Sequence, residues 1–153
     1  MLYRISTIRR KAMEAAKPRI LCLDDHPESL RVRKFLLEQF GCEVVTVTNS
    51  SACLHVVVQQ HFDLALIDYH LGEEVTGEDV ARDIAVLLPG LPLVMLTGDP
   101  SIPKSARECV DEVLIKGASG PAELLDTIQQ LLPQSRIKPR HHSILPIPVK
   151  RSS

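Results

Sequence analysis

Between Pro18 and Pro133, short apolar runs alternate with segments of helical spacing. Five runs, residues 20–23, 44–47, 64–67, 93–96 and 113–115, are β-branched or Leu-rich with little polar alternation, the pattern of strands covered on both faces. Helices are predicted between them. The first starts at about Pro27, with Glu28 near the positive end of its dipole, and closes at Gly41. Val32, Phe35, Leu36 and Phe40 are predicted as its inward face, with Arg33 and Lys34 toward solvent. The second, about residues 50–60, takes Ser50 or Asn49 as its cap and turns Cys53, Val56 and Val57 inward. The third, about residues 78–87, is predicted to bury Val80, Ala81, Ile84, Leu87 and Leu88 before Pro89-Gly90 stops it. A short fourth covers about residues 102–109. The last, residues 121–132, carries Leu124, Leu125, Ile128, Leu131 and Leu132 at helical spacing. Five strands alternating with five helices predict an α/β fold, a parallel sheet with helices on both faces and no internal repeat.

Composition divides the chain into three parts. A single domain is expected over residues 18–133, preceded by a basic extension (residues 1–17) and followed by a basic, Pro-containing tail (residues 134–153). The net charge of −1 hides this partition: residues 1–19 hold six Lys or Arg against one acid, residues 134–153 five against none, and residues 20–133 seven against eighteen. The tail breaks every helical pattern with three prolines, reads as disordered or extended, and is too short for an effector domain. Its His141-His142 pair reads as solvated tail. Met13 is a second candidate start, and the Arg-rich opening lacks the apolar run of a secretory signal. No window reaches the ~18 apolar residues of a membrane span. The cysteines Cys22, Cys42, Cys53 and Cys109 lack metal-ligand spacing and read as reduced residues of a cytoplasmic protein. Aromatic residues are few and scattered, so no stacking platform for nucleic acid is expected and DNA binding by this chain is not predicted.

Four of the apolar runs end in one chemically pointed residue: Asp24 and Asp25 after the first, Asp68 after the third, Thr97 after the fourth and Lys116 after the fifth. In an open parallel sheet, ligands sit beyond the carboxyl ends of the strands, near the point where strand order reverses. Asp24, Asp25 and Asp68 would there form a three-carboxylate cluster that repels itself unless a hard divalent cation or a proton neutralises it, and Mg²⁺ prefers such oxygen ligands. Lys116 brings a point charge for phosphate and Thr97 a hydroxyl donor. A single acid at a strand end is most often a solvated residue or a helix cap; three acids, a Thr and a Lys in this order read instead as a nucleophile, a metal site and phosphate stabilisers. A dinucleotide enzyme would need a Gly-rich turn where Asp24-Asp25-His26-Pro27 stands. A phosphatase with an Asp nucleophile would place a second Asp where His70 stands.

The stretches Ile-Leu-Cys-Leu-Asp24-Asp25-His-Pro, Leu-Ala-Leu-Ile-Asp68-Tyr-His-Leu, Val-Met-Leu-Thr97-Gly-Asp and Val-Leu-Ile-Lys116-Gly-Ala resemble the receiver domain of two-component response regulators. Asp25, Asp68, Thr97 and Lys116 follow one another at separations of 43, 29 and 19 residues. The resemblance implies a flavodoxin-like, doubly wound (βα)5 fold with strand order 2-1-3-4-5. It also implies that Asp68 is the phosphoacceptor, taking a phosphoryl group from the phosphohistidine of a sensor histidine kinase or a histidine phosphotransfer protein. Asp25, Asp68 and the carbonyl of His70 would ligate Mg²⁺, Asp24 would support it largely through water, and Thr97 and Lys116 would hold the phosphoryl oxygens. Replacing one negative charge by about −2 would draw Thr97 and Lys116 inward and move the face of the fourth helix, fifth strand and fifth helix.

Such a chain is not an enzyme toward external substrates. It catalyses only its own phosphorylation and dephosphorylation, and with no output domain in this sequence it would signal by docking to an output protein that the sequence does not identify. The alternatives are a phosphorelay intermediate or phosphate sink, and a receiver-like binding module without phosphoryl transfer. The face from the fourth to the fifth helix is also the candidate surface for a homodimer. Three features depart from the family pattern: Val113 replaces the aromatic switch residue, Gly117 follows Lys116 where many members have Pro with a cis peptide, and the loop Leu71-Gly-Glu-Glu-Val-Thr-Gly77 replaces a Met-Pro turn. Beside the site, Gly98 leaves room at Thr97, and His70 and Asp99 stand where water access is controlled; His70 either polarises an attacking water or lines the pocket.

Overall fold

The computed structural model describes residues 17–118 and 120–132. Apart from Lys17, the two predicted extensions, the alternative start at Met13 and the His141-His142 pair lie outside them. Five strands, β1 (Arg19–Leu23), β2 (Glu43–Val47), β3 (Leu64–Asp68), β4 (Leu93–Thr97) and β5 (Glu112–Ile115), alternate with α1 (Pro27–Gln39), α2 (Ser50–Gln59), α3 (Gly77–Leu87), α4 (Lys104–Glu108) and α5 (Pro121–Leu131). All strand pairs are parallel and the order is β2-β1-β3-β4-β5, as the resemblance implies.

The continuous apolar runs follow from burial on both sides: every residue of β3 and β4 is buried. Alternate side chains feed two cores. Leu21, Leu23, Ala65, Ile67, Leu93 and Met95 pack with Val57 of α2 and Val80, Ala81 and Ile84 of α3. Ile20, Cys22, Leu64, Leu66, Val94, Leu96 and Leu114 pack with Leu30 and Leu37 of α1 and Ile128 of α5. All four cysteines are free, and burial pushes the Cys22 and Cys53 thiols up to about 12, as inert core residues. The second helix is capped by Asn49, whose Oδ1 accepts from the Ala52 amide at 2.8 Å, and the third by a Thr76/Asp79 capping box.

Two predicted helix faces need correction. In α1 the inward residues are Leu30 and Leu37, whereas Val32 (71 % exposed) and Phe35 (67 %) face solvent and Phe40 is also exposed. Arg33, predicted to face solvent, is instead turned inward, its side chain only 10 % exposed. The stripe Leu30-Arg33-Leu37 sits at i, i+3, i+7, and the long Arg stem fills its middle while the guanidinium reaches a buried acid. In α3, Val80, Ala81 and Ile84 are buried as predicted, but Leu87 is about half exposed. The fourth helix is shorter than predicted, and no peptide among the described residues is cis; Gly117 carries the chain on with φ +83°.

Candidate functional site

The carboxyl ends of β1 and β3 lie side by side, in register from Ile20 with Leu64 to Leu23 with Ile67. This brings Asp24 and Asp25, which follow β1, against Asp68 at the last position of β3. Both Asp24 (0 % exposed) and Asp68 (3 %) are buried. Lys116, just past β5, crosses the end of β4 to reach them: its Nζ lies 3.1 Å from Asp24 Oδ2 and 3.0 Å from Asp68 Oδ2. The Lys116 amide is held to the Thr97 carbonyl at 2.7 Å, so backbone pairing with β4 sets the reach of that side chain.

Asp24 is saturated by its neighbours. Its Oδ1 accepts from the His26 amide at 2.9 Å, and its Oδ2 from Arg33 at 3.3 Å as well as from Lys116. Burial works against the Asp24 charge, but the His26 amide, Lys116 and Arg33 outweigh it and hold the carboxyl below the usual range. Burial pushes the Asp68 carboxyl up, Lys116 pulls it back, and the neighbouring Asp24 charge pushes it further up. The two carboxylates therefore titrate apart, as expected of like charges forced together.

Asp25 is the open member. Its Oδ1 is buried and accepts no hydrogen bond, although His26 Nδ1 lies 2.9 Å away. One ligand atom each from Asp24, Asp25, His26 and Asp68 can be chosen so that all lie within 4.8 Å of one another. A carboxylate-dominated set with one buried oxygen lacking a donor fits a hard divalent cation such as Mg²⁺. The backbone makes room for it: a Cβ on Gly72 would stand 3.0 Å from Asp25 Oδ2, and one on Gly77 would stand 2.3 Å from the Asp68 carbonyl oxygen. Gly77 thus lets the N-terminus of α3 close against the end of β3, where its amide donates to the Tyr69 carbonyl at 2.8 Å.

Asp24, Asp25, Asp68 and Lys116 are thus brought together. Thr97 is fully buried at the end of β4, and its hydroxyl is turned to a local ring, donating to the Asp99 carbonyl and accepting from the Asp99 amide, both at 3.0 Å. His70 is exposed, with its ring edge-on to Tyr69. Asp99 is exposed, and hydrogen bonds from Ser101 hold its carboxyl below the usual range. Val113 is half-buried in β5, in register with Met95. Two site residues were not singled out from the sequence. His26 stands within the Asp24-Asp25-His26 run, and its position beside two acids was a usable signal; Arg33 was hidden by the misassigned face of α1.

The family model for the response regulator receiver domain matches residues 20–129. The chain is 36 % identical over 89 residues to the sensor protein GacS of Pseudomonas syringae pv. syringae, covering 56 % of this chain and 10 % of that protein. It is 30 % identical over 126 residues to the alginate biosynthesis transcriptional regulatory protein AlgB of Pseudomonas syringae pv. tomato, covering 78 % of this chain and 28 % of AlgB. The chain therefore spans only a minor part of these relatives. The response regulator TrrA of Thermotoga maritima, crystallised with Mg²⁺ and BeF, superposes with a TM-score of 0.71 at 25 % identity, covering 75 % of this chain and 99 % of that one. A CheY-like receiver domain protein of Methanospirillum hungatei gives 0.71 at 27 % identity, covering 78 % and 96 %. TrrA in complex with the histidine kinase ThkA gives 0.69 at 25 % identity, covering 76 % and 99 %.

Proposed function

The chain belongs to the response regulator receiver domain family, and from that premise we propose that it takes a phosphoryl group onto Asp68 from a phosphohistidine and signals by docking. The observation that carries the reading is Lys116 Nζ held between Asp24 and Asp68, 3.1 and 3.0 Å away, beside the donor-less Asp25 Oδ1. An Asp68 oxygen attacks phosphorus, the new O–P bond forms as the N–P bond breaks, and the donor imidazole leaves with the electron pair and takes up a proton. Asp25 and Asp68, with the His70 carbonyl, are the residues that would hold Mg²⁺, whose chemistry when bound is to neutralise charge on the phosphoryl oxygens. Asp24 has both oxygens engaged, which suits a supporting role. Lys116 exchanges its Asp68 contact for a phosphoryl oxygen. The Thr97 hydroxyl leaves the Asp99 ring to donate to a second oxygen, and this release couples acceptor chemistry to the β4–α4 loop.

The donor is a histidine kinase or histidine phosphotransfer protein. Val32 and Phe35 are exposed on α1, and a groove lined in part by Val32, Leu36, Lys116, Pro121 and Leu124 runs from there to the site, offering an apolar landing for a donor helix. Residues 18–133 form the receiver unit, and the α4-β5-α5 face carries the output to a partner or to a second copy. No helix among the described residues is long and apolar enough to cross a membrane, and the reading places the protein in the cytoplasm. The test is transfer from a phosphorylated histidine phosphotransfer domain with Mg²⁺ present. A hydroxylamine-labile phosphoryl bond is expected on the wild type and none on Asp68→Asn; label retained by that variant would overturn the assignment.

A further inference from the structure

Asp24 takes two cations on one oxygen. Its Oδ2 lies 3.1 Å from Lys116 Nζ and 3.3 Å from Arg33 Nη2, and the carboxylate they share is fully buried. The two cations differ in freedom. The Lys116 side chain is a third exposed and also reaches Asp68 Oδ2 at 3.0 Å, so its ammonium already stands between two anions. The Arg33 side chain is only 10 % exposed and is set on the buried face of α1 between Leu30 and Leu37. Its Nη1 is buried and has no hydrogen-bond partner among the described residues. A buried guanidinium stays charged and an unused buried N–H costs free energy, so this side chain holds a donor in reserve next to Asp24.

A phosphoryl group on Asp68 brings about two negative charges to the Lys116 ammonium and draws it off Asp24. With no other cation at hand, that transfer would leave the buried carboxylate with His26 as its remaining hydrogen-bond partner, a costly arrangement for a buried charge. Arg33 is placed to prevent this. As Lys116 leaves, Oδ2 passes to the guanidinium alone, and Nη1 supplies the second arm of a bidentate Arg–carboxylate pair. We propose that Arg33 is a positioning residue for phosphoryl acceptance, which rests on the reading of Asp68 as the phosphoacceptor: it keeps Asp24 charged and in place while Lys116 moves to the phosphoryl oxygens.

The test is the single-turnover rate of phosphorylation by acetyl phosphate at saturating Mg²⁺, alongside Mg²⁺ affinity from calorimetric titration, for the full chain and two variants. Arg33→Met keeps a long packing stem and removes the guanidinium; Arg33→Lys returns a cation on a similar stem. In Arg33→Met the rate is expected to fall about tenfold while Mg²⁺ binds as tightly as in the wild type or more tightly, because a cation beside the acids repels the metal. Arg33→Lys should recover the rate to within about threefold of the wild type. An unchanged rate in Arg33→Met overturns the proposal and leaves Asp68 as the acceptor. So does a loss of rate matched by a loss of Mg²⁺ affinity, the mark of a loosened site, or an Arg33→Lys no faster than Arg33→Met. Absence of phosphorylation on the wild type, from acetyl phosphate and from a phosphohistidine donor alike, overturns the Asp68 reading and this proposal with it.

Discussion

Lys116 is one cation shared between two buried acids, and that sharing sets the energetics of the site. The Asp68 carboxyl holds its proton more tightly folded than unfolded, so its contribution favours folding below the unfolded pKa and is lost as pH rises through the folded value. At neutral pH its charge therefore costs stability. Asp68→Asn in metal-free buffer should keep the fold and raise Tm by about 2–5 °C in scanning calorimetry; a lower Tm would contradict the assigned direction. Added Mg²⁺ should stabilise the wild type and do so far less in the variant, because a cation that binds only the folded state stabilises by mass action. Arg33 is the opposite case: Arg33→Ala strips Asp24 of one of its two cationic partners and leaves a buried charge half-neutralised. A loss of about 1–3 kcal/mol in urea unfolding is expected.

At the scale of elements, the junctions decide how well the site is held. A methyl group at Gly77 would collide with backbone at the end of β3, 2.3 Å from the Asp68 carbonyl oxygen, so one must move. Gly77→Ala should cost about 2–4 kcal/mol and weaken Mg²⁺ binding together with stability, measured by thermal unfolding and calorimetric titration. The first helix makes a different prediction. Phe35 is exposed, so Phe35→Ala should change stability by less than about 0.5 kcal/mol. It should leave phosphorylation by acetyl phosphate unchanged while slowing transfer from a phosphohistidine protein about tenfold, read by single-turnover kinetics. These elements also show where sequence reading works. The runs of β3 and β4 were legible because burial on both faces leaves no polar residue to confuse the pattern. The face of α1 was not, because Arg33 interrupts the buried stripe while Val32 and Phe35 supply apolar residues with nothing to pack on. Hydrophobicity indicates a core face only where charge stays outside, and a guanidinium drawn to a buried acid breaks that rule.

Across the whole molecule, the site is a product of topology. Asp24, Asp68 and Lys116 stand at the ends of three strands, and the order β2-β1-β3-β4-β5 places β1 beside β3 and separates β5 from β3 by β4. The lysine therefore spans the end of β4, passing Thr97, to meet an acid 92 residues away in sequence. The residue types and their order at strand ends were legible because each follows an apolar run directly; the Thr97–Asp99 ring and the saturation of Asp24 were not, since both depend on how the loops close over the strand ends. The same topology sends all helix C-termini to the far end, where the chain enters the first strand at Arg19. The measurement that bears most directly on the account is intact mass after incubation with acetyl phosphate and Mg²⁺. A gain of one phosphoryl group is expected on the wild type, dependent on Mg²⁺ and absent in Asp68→Asn. A gain that survives in Asp68→Asn, or none on the wild type with acetyl phosphate or a phosphohistidine donor, would contradict it.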